Sequence, residues 1–179
     1  MVESKTKQVN MNFGALYNYV INTNYRNASG VISLGLSFVA AIVLVLKWSD
    51  LSNGHKVAFG VIALLFTVIN PLMLAFRTYK QLKLSESYKK PLEYTFADSG
   101  IMIKQGDLKQ ELPWKNICRI LMTNKILAIY TSRLHAFVIP LSELGDDKGK
   151  ILAAVVQFTA EYKPQVSRSL KEYQSGKGL

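Results

Sequence analysis

Two long apolar segments without a charged residue, joined by a short polar loop, dominate the sequence. Residues 30–46 and residues 57–76 contain no Asp, Glu, Lys or Arg. A helix rises about 1.5 Å per residue, so roughly 20 residues cross the roughly 30 Å hydrocarbon core of a bilayer. Only residues 47–56 lie between the two segments, too few for a folded domain. The pattern predicts a transmembrane hairpin over residues 30–76, with spans 30–46 and 57–76.

A buried helix of a soluble protein is the alternative interpretation of each segment. Such a helix usually keeps a polar stripe along one side. Here Ser33, Ser37 and Thr67 are isolated and can hydrogen-bond to the backbone of their own helix. Asn70 and Pro71 interrupt the second segment. Because proline removes one backbone hydrogen bond, we expect a kink there, either a packing feature or part of a site.

The charge balance points to a membrane surface. Lys and Arg number 22 against 12 Asp and Glu, a formal net charge of +10. In a soluble protein this balance would suggest a nucleic-acid partner. Next to membrane spans, anionic lipid headgroups explain it better, and we expect no nucleic-acid partner. The basic residues that follow the second span predict that both termini are cytoplasmic and that the loop at residues 48–54 is outside.

The sequence contains no recognisable catalytic or metal-binding motif. A Gly-rich phosphate loop, a G-x-S-x-G elbow and an H-E-x-x-H pair are all missing. His55 and His135 fall on opposite sides of the membrane in the predicted topology, so they cannot share a metal. Cys118 is interpreted as an inert core residue. We therefore predict no catalytic residue, no metal and no cofactor, and a protein that is not an enzyme.

The chain before and after the hairpin divides into recognisable pieces. Residues 1–29 are predicted as an N-terminal cytoplasmic segment, loose over residues 1–8. Apolar residues at spacings of three and four within residues 12–25 predict a helix. That helix either lies in the membrane interface or packs on the soluble domain. Residues 77–91 are predicted as a basic stem that continues the second helix and ends at Pro91.

After Pro91 the apolar residues alternate with polar ones, as in strands. Turn residues separate short apolar stretches within residues 92–139, which predicts a strongly bent antiparallel sheet of about five strands. Asp146 and Asp147 favour the start of a helix, with a metal pair as the alternative interpretation. We expect that helix to end at Lys163 and Pro164 and to cover one face of the sheet. The fold class is thus an α+β membrane protein, with residues 164–179 as a flexible tail.

Several short motifs resemble the YcxB-like membrane proteins. They are "YTFADSGI", "LPWKNICRI", "ILAIYTS" and "AFVIPLSEL", and they follow two membrane spans. The structural motif consists of Trp114, Ile117 and the step to Pro140, although Leu141 stands where the family often has a basic residue. The resemblance, over about residues 13–162, implies a PH-like cytoplasmic domain at residues 92–163 of a bacterial plasma-membrane protein with two spans. It implies no established activity.

A basic surface is the remaining candidate site for a lipid headgroup or a partner protein. Its residues share a position near the predicted membrane or on the strands: Lys80, Lys83, Lys89, Lys90, Lys104, Lys115 and Arg119. Each cation near an anionic leaflet contributes on the order of 1 kcal/mol. The alternative is that this charge only sets the membrane topology.

Further hypotheses about function remain open from the sequence. The protein is an immunity or accessory factor for a toxin or transporter, or an enzyme acting on lipid. It is also a candidate homo-oligomer.

Overall fold

A computed structural model describes residues 5–133, 135–162, 164–167 and 170–172. The chain divides into two compact units. We call residues 17–81 the helical unit, and residues 1–16 together with 82–179 the folded unit. The segments that flank the apolar helices therefore belong to one unit, although about 65 residues of helical chain separate them in the sequence.

Residues 13–84 form a series of helices that contains both predicted apolar helices. Its elements are α1 (Phe13–Tyr25), α2 (Ala28–Leu46), α3 (Asn53–Leu64), a π-helical turn (Leu65–Ile69) and α4 (Asn70–Leu84). Ala28–Leu46 and the continuous helix Asn53–Leu84 are long and apolar enough to cross a membrane, with mean hydropathies of 2.5 and 2.3. Within the apolar windows of these helices, only 17% and 6% of the residues are buried. A core helix of a soluble protein would be mostly buried, so the helices present their apolar surface outward.

The helix does not break at Pro71; it changes its hydrogen-bond register just before it. The amide N–H of Asn70 donates to the carbonyl of Leu65, one residue further back than in an α-helix. In that register the next donor would be residue 71, which is proline and has no N–H. The carbonyl of Phe66 accepts instead from the hydroxyl of Tyr25, at 2.8 Å. Asn70 completes the arrangement, since its Nδ2 donates to the Tyr25 hydroxyl at 3.0 Å.

The described residues of the folded unit form two four-stranded sheets. Their strands are β1 (Lys5–Val9), β2 (Leu92–Ala97), β3 (Gly100–Gln105), β4 (Leu108–Pro113), β5 (Arg119–Met122), β6 (Ile126–Tyr130), β7 (Ala136–Pro140) and β8 (Gln165–Val166). The first sheet has the order β1-β2-β3-β4 and is antiparallel throughout. The second has the order β7-β6-β5-β8, in which β5 and β8 are parallel. α5 (Lys148–Thr159) follows β7.

One hydrophobic core joins both sheets and α5. The alternation predicted in residues 92–103 is confirmed, because Tyr94, Phe96, Ile101 and Ile103 are all buried in this core. α5 contributes Ile151, Leu152 and Val155, and the second sheet contributes residues such as Ile120 and Ile129. The α+β class is therefore confirmed, and the amphipathic sheets and helix cover one another's apolar faces.

Several details differ from the sequence-based expectations. The segment predicted to be loose forms β1, whose residues pair in register with β2 from Lys5–Phe96 to Val9–Leu92. Residues 92–166 build two sheets rather than one bent sheet, and the predicted flexible tail supplies β8 and the buried Leu170. Within the described residues, α5 ends at Thr159, before Pro164; the predicted end at Lys163 lies outside them.

Two side chains also take places that the sequence did not indicate. Asp147 precedes α5, but its side chain makes no capping hydrogen bond to that helix. Its carboxylate instead forms an ion pair with Lys7 of β1, at 2.7 Å. Cys118, interpreted as a core residue, is exposed, and its Sγ donates to the carbonyl of Tyr130 at 3.3 Å. It lies in the segment between Trp114 and β5, just outside the apolar alternation.

Candidate anion-binding clefts

The first sheet has one buried face and one polar face. On the polar face, the register aligns Gln8, Glu93, Lys104 and Lys109 across the four strands. Cross-strand neighbours project from the same side of a sheet, so these four side chains form a single row. In this row Lys104 of β3 is the direct cross-strand neighbour of Glu93 in β2.

Two of the predicted basic residues meet at the end of this row. Lys90 and Lys104 line one open cleft of about 390 Å³ together with Gln8, Pro91, Glu93 and Gly106. We call it the Lys90–Lys104 cleft. The cleft contains two ammonium groups and one carboxylate, so its lining carries a net positive charge. Lys90 and Lys104, two residues of the predicted basic surface, therefore line the same cleft.

The backbone around Lys90 is held by Gln105, the last residue of β3. The side-chain amide of Gln105 donates to the carbonyls of Ser87, at 2.8 Å, and of Lys90, at 3.0 Å. Gly106 follows with a φ of +59°, a left-handed conformation that favours glycine. These two hydrogen bonds fix the segment at residues 87–90 against the end of β3.

The other predicted basic residues do not join this cleft. Lys80 lies over the ring of Phe76, with Nζ 5.0 Å from the ring centre. Lys83 is exposed on α4, and Lys115 is exposed in the turn before β5. Lys89 forms an ion pair with Glu86, and its hydrogen bond and charge lower the pKa of that exposed carboxyl. The guanidinium of Arg119 lies over the ring of Tyr130, at 5.2 Å.

The structural motif residues lie in the core of the folded unit. Trp114 is buried, donates from Nε1 to the carbonyl of Ala97 at 2.9 Å, and stacks on Phe158 with ring centres 5.3 Å apart. Ile117 and Pro140 are buried as well. These contacts connect the first sheet, the turn before β5 and α5, so the motif holds the fold together.

A second open cleft, of about 460 Å³, contains lysines that sequence reasoning did not select. Its lining residues come from the start of α1, the β5–β6 turn, the segment after β7 and the start of α5: Asn12, Gly14, Ala15, Asn124, Lys125, Leu141, Ser142 and Lys148. We call it the Lys125–Lys148 cleft. In the sequence these lysines are isolated from the basic stem, and the signal that unites them is the fold alone.

Two further groups bear on the chemistry. Burial raises the pKa of the Tyr94 phenol, whose hydroxyl has no hydrogen-bond partner within the described part of the chain. Burial also raises the pKa of Tyr88. Among the residues that the structure describes, no group of three or more His, Cys, Asp or Glu side chains could hold a metal ion.

The fold and the clefts define an α+β protein with two candidate membrane-spanning helices and a small two-sheet domain. Within that domain, residues 96–154, from β2 into α5, match the family model of the YcxB-like proteins. The resemblance predicted from the sequence motifs is confirmed over these residues. No curated protein is significantly similar to the chain.

Proposed function

We propose that this chain is a two-span membrane protein whose YcxB-like domain binds the phosphate of an anionic lipid headgroup in the Lys90–Lys104 cleft. The observation that carries the proposal is the meeting of Lys90 and Lys104 in one cleft. The domain would act as a binding module, without a catalytic step of its own, at the cytoplasmic face of a bacterial plasma membrane.

The exposed apolar helices support the membrane part. Large apolar residues such as Ile32, Phe38, Val45 and Leu72 are all more than half exposed. Exposed apolar patches larger than a few hundred Å² are rare on soluble monomers. A bilayer can cover such helices, because a helix hydrogen-bonds its backbone polar groups internally, and here the hydroxyl of Tyr25 satisfies the Phe66 carbonyl before Pro71.

The pairing of β1 with β2 supports a two-pass hairpin. β1 precedes the first candidate span and β2 follows the second, yet the two strands form one ladder over five residue pairs. A ladder of backbone hydrogen bonds cannot form across a bilayer, so both strands lie on the same side of any membrane that the helices cross. This arrangement requires an even number of crossings, as two spans provide.

The position of the cleft supports a headgroup ligand. Lys90 lies six residues beyond Leu84, where the helix that contains the second candidate span ends, and both residues belong to the folded unit. Two lysines would contribute about 2 kcal/mol toward an anionic leaflet, or roughly a 30-fold gain in affinity. Glu93 in the same cleft opposes an anion, so its neutralisation should strengthen binding.

The test uses the full-length protein in a non-ionic detergent. Binding of phosphatidylglycerol and of phosphatidylcholine is measured by native mass spectrometry over a lipid titration. We expect a preference for phosphatidylglycerol that the double variant Lys90→Gln/Lys104→Gln reduces by roughly 30-fold. Glu93→Gln should change the affinity in the opposite direction, by about fivefold.

The matched control is Lys115→Gln/Lys150→Gln, which removes the same charge from exposed positions outside the cleft. An equal loss of binding in this control would show that only net charge matters and would contradict the proposal. So would an unchanged preference in the Lys90→Gln/Lys104→Gln variant.

Cys118 provides a test of orientation, because it is exposed and is the one cysteine in the sequence. A membrane-impermeant maleimide added to intact bacterial cells should leave it unlabelled, and labelling should appear after permeabilisation. Cys118→Ser is the control for background. Labelling in intact cells would place the folded unit outside and overturn the cytoplasmic assignment.

A further inference from the structure

We propose that the Lys125–Lys148 cleft is a second, independent binding site, specific for the phosphate ester of a small polyol. The inference does not rest on the proposed headgroup function of the Lys90–Lys104 cleft. It starts from the composition of the lining: two lysines, two asparagines, a serine and no carboxylate. Such a set favours an anion, since ammonium, amide and hydroxyl groups all donate hydrogen bonds to phosphate oxygens.

The carboxylates adjacent in the sequence to Lys148 and Ser142 have partners elsewhere. Asp147 precedes Lys148 in the sequence, but its carboxylate pairs with Lys7 at 2.7 Å. Glu143 follows Ser142, and its carboxylate accepts from the backbone N–H of Asn10 at 3.3 Å. Within the described residues, neither Lys125 nor Lys148 has an ion-pair partner, so their positive charge is not neutralised locally.

The backbone of the cleft is fixed before any ligand binds. Asn12 accepts from the N–H of Ala15 at 2.8 Å, which sets the first turn of α1. Thr123 Oγ1 accepts from the N–H groups of Lys125 and Ile126, at 3.2 and 3.1 Å, which sets the β5–β6 turn. A preorganised cleft loses less conformational entropy on binding, so more of the contact energy appears as affinity.

The same turn is also tied to the segment after β7. The N–H of Leu141 donates to the carbonyl of Lys125 at 2.9 Å, so two sides of the cleft are joined by a direct hydrogen bond. Leu141 and Ala15 are buried and form an apolar floor beneath the polar rim. These hydrogen bonds fix the backbone that carries the two lysines.

The size of the cleft selects the ligand class. At about 460 Å³ it lies in the range of small-molecule sites, and it can accommodate more than a bare phosphate ion. The lysines suit the phosphate, while Asn124 and Ser142 can hydrogen-bond to hydroxyl groups. A glycerol phosphate has both features, either as a free metabolite or as the headgroup of a lipid.

The experiment titrates the full-length protein, in non-ionic detergent, with three probes: sn-glycerol 3-phosphate, inorganic phosphate and dihexanoylphosphatidylglycerol. Isothermal titration calorimetry gives the affinities. We expect glycerol phosphate to bind more tightly than inorganic phosphate, with an affinity that falls as salt rises. Lys125→Gln and Lys148→Gln should each weaken binding roughly 10- to 100-fold.

Three comparisons make the test specific. Lys125→Arg/Lys148→Arg keeps both charges and should bind within a few-fold of the natural sequence, and circular dichroism checks the fold of each variant. All three titrations are repeated in the Lys90→Gln/Lys104→Gln background, which disables the cleft proposed above for a lipid phosphate. Binding that persists in this background and is lost when Lys125→Gln is added belongs to the Lys125–Lys148 cleft, which separates this site from the headgroup proposal. Lys115→Gln/Lys150→Gln controls for net charge.

Each outcome decides the proposal. Tighter binding of the lipid probe than of glycerol phosphate, lost in the Lys125→Gln and Lys148→Gln variants, supports the site with a lipid-borne ligand. Equal binding of the two probes supports a soluble ligand. Absence of binding by all three probes overturns the proposal, and so does binding of inorganic phosphate that is as tight as that of glycerol phosphate. Folded Lys125→Gln and Lys148→Gln variants that bind as the natural sequence does would overturn it as well.

Discussion

Replacement of Tyr25 by phenylalanine tests the hydrogen-bond register before Pro71. The substitution removes the donor to the Phe66 carbonyl and the acceptor for the side chain of Asn70, while the ring remains. A lost hydrogen bond with an unsatisfied partly buried group costs about 1–3 kcal/mol, and interhelical hydrogen bonds in membranes reach about 1.7 kcal/mol. We therefore expect a loss of about 1–2 kcal/mol in the free energy of unfolding.

The assay is unfolding of the full-length protein from non-ionic detergent by titrated dodecyl sulfate, followed by circular dichroism. Tyr162→Phe is the control, because that tyrosine is 46% exposed and lies outside the helical unit. It should change the free energy of unfolding by less than about 0.5 kcal/mol.

Pro71→Ala sharpens the test because it restores an N–H at the position where the π register lacks one. In the Tyr25→Phe background, this N–H can donate to the Phe66 carbonyl, so the second substitution should recover most of the stability lost. Two results would refute this account of the Phe66 carbonyl. One is a Tyr25→Phe variant as stable as the natural sequence. The other is a Pro71→Ala substitution that lowers the free energy of unfolding by the same amount in the Tyr25→Phe variant as in the natural sequence.

The remaining predictions concern the folded unit. Tyr94→Phe should stabilise the protein by about 1 kcal/mol in chemical denaturation at neutral pH, because it removes a buried hydroxyl without a described partner; a loss of stability would show that the hydroxyl is satisfied. Since burial raises the pKa of Tyr94, its folded form disfavours ionisation, and stability should fall as the pH rises above about 10, less steeply in Tyr94→Phe; parallel profiles would contradict this. Trp114→Phe should cost about 1–3 kcal/mol by leaving the Ala97 carbonyl without its donor, and a neutral result would contradict that assignment. Deletion of residues 1–9 should expose the edge of β2 and cause aggregation in size-exclusion chromatography, whereas a monodisperse product would show that β1 is dispensable.

Local patterns predicted much of the fold. The charge-free segments predicted two helices, and the alternation of Tyr94, Phe96, Ile101 and Ile103 predicted the central strands, because one face of each strand enters the core. Trp114 was selected as a residue of the structural motif, and it is buried. These features depend on residues close together in the sequence, where periodicity is readable.

Long-range pairings were not predictable in the same way. β1 has the sequence KTKQV, which contains one apolar residue, and its partner lies beyond both apolar helices. β8 has two residues and a parallel partner, too short for any periodic signal. Cys118 was placed in the core because its neighbours are apolar, but the strand begins one residue later, at Arg119.

The candidate clefts show the same division. Lys90 was selected because lysines are dense after the second span. Only the fold shows that Lys104 lines the same cleft. No local signal joins Lys125 to Lys148, since the two lysines are 23 positions apart in the sequence. Their association depends on β7 and α5 returning to the β5–β6 turn, which is a property of topology rather than of sequence pattern.

The in-register ladder between β1 and β2 also constrains the order of biosynthesis. β1 leaves the ribosome first, and its partner follows after roughly 80 further residues, or about 4–16 s at 5–20 residues per second. During that interval the strand is unpaired while both apolar helices are still being made. The sheet can close only when β2 has emerged on the same side, so correct insertion of both helices becomes a precondition for a folded domain. A chain that inserted only one helix would leave β1 and β2 unable to meet, and quality-control proteases would encounter an unfolded domain rather than an inverted native one.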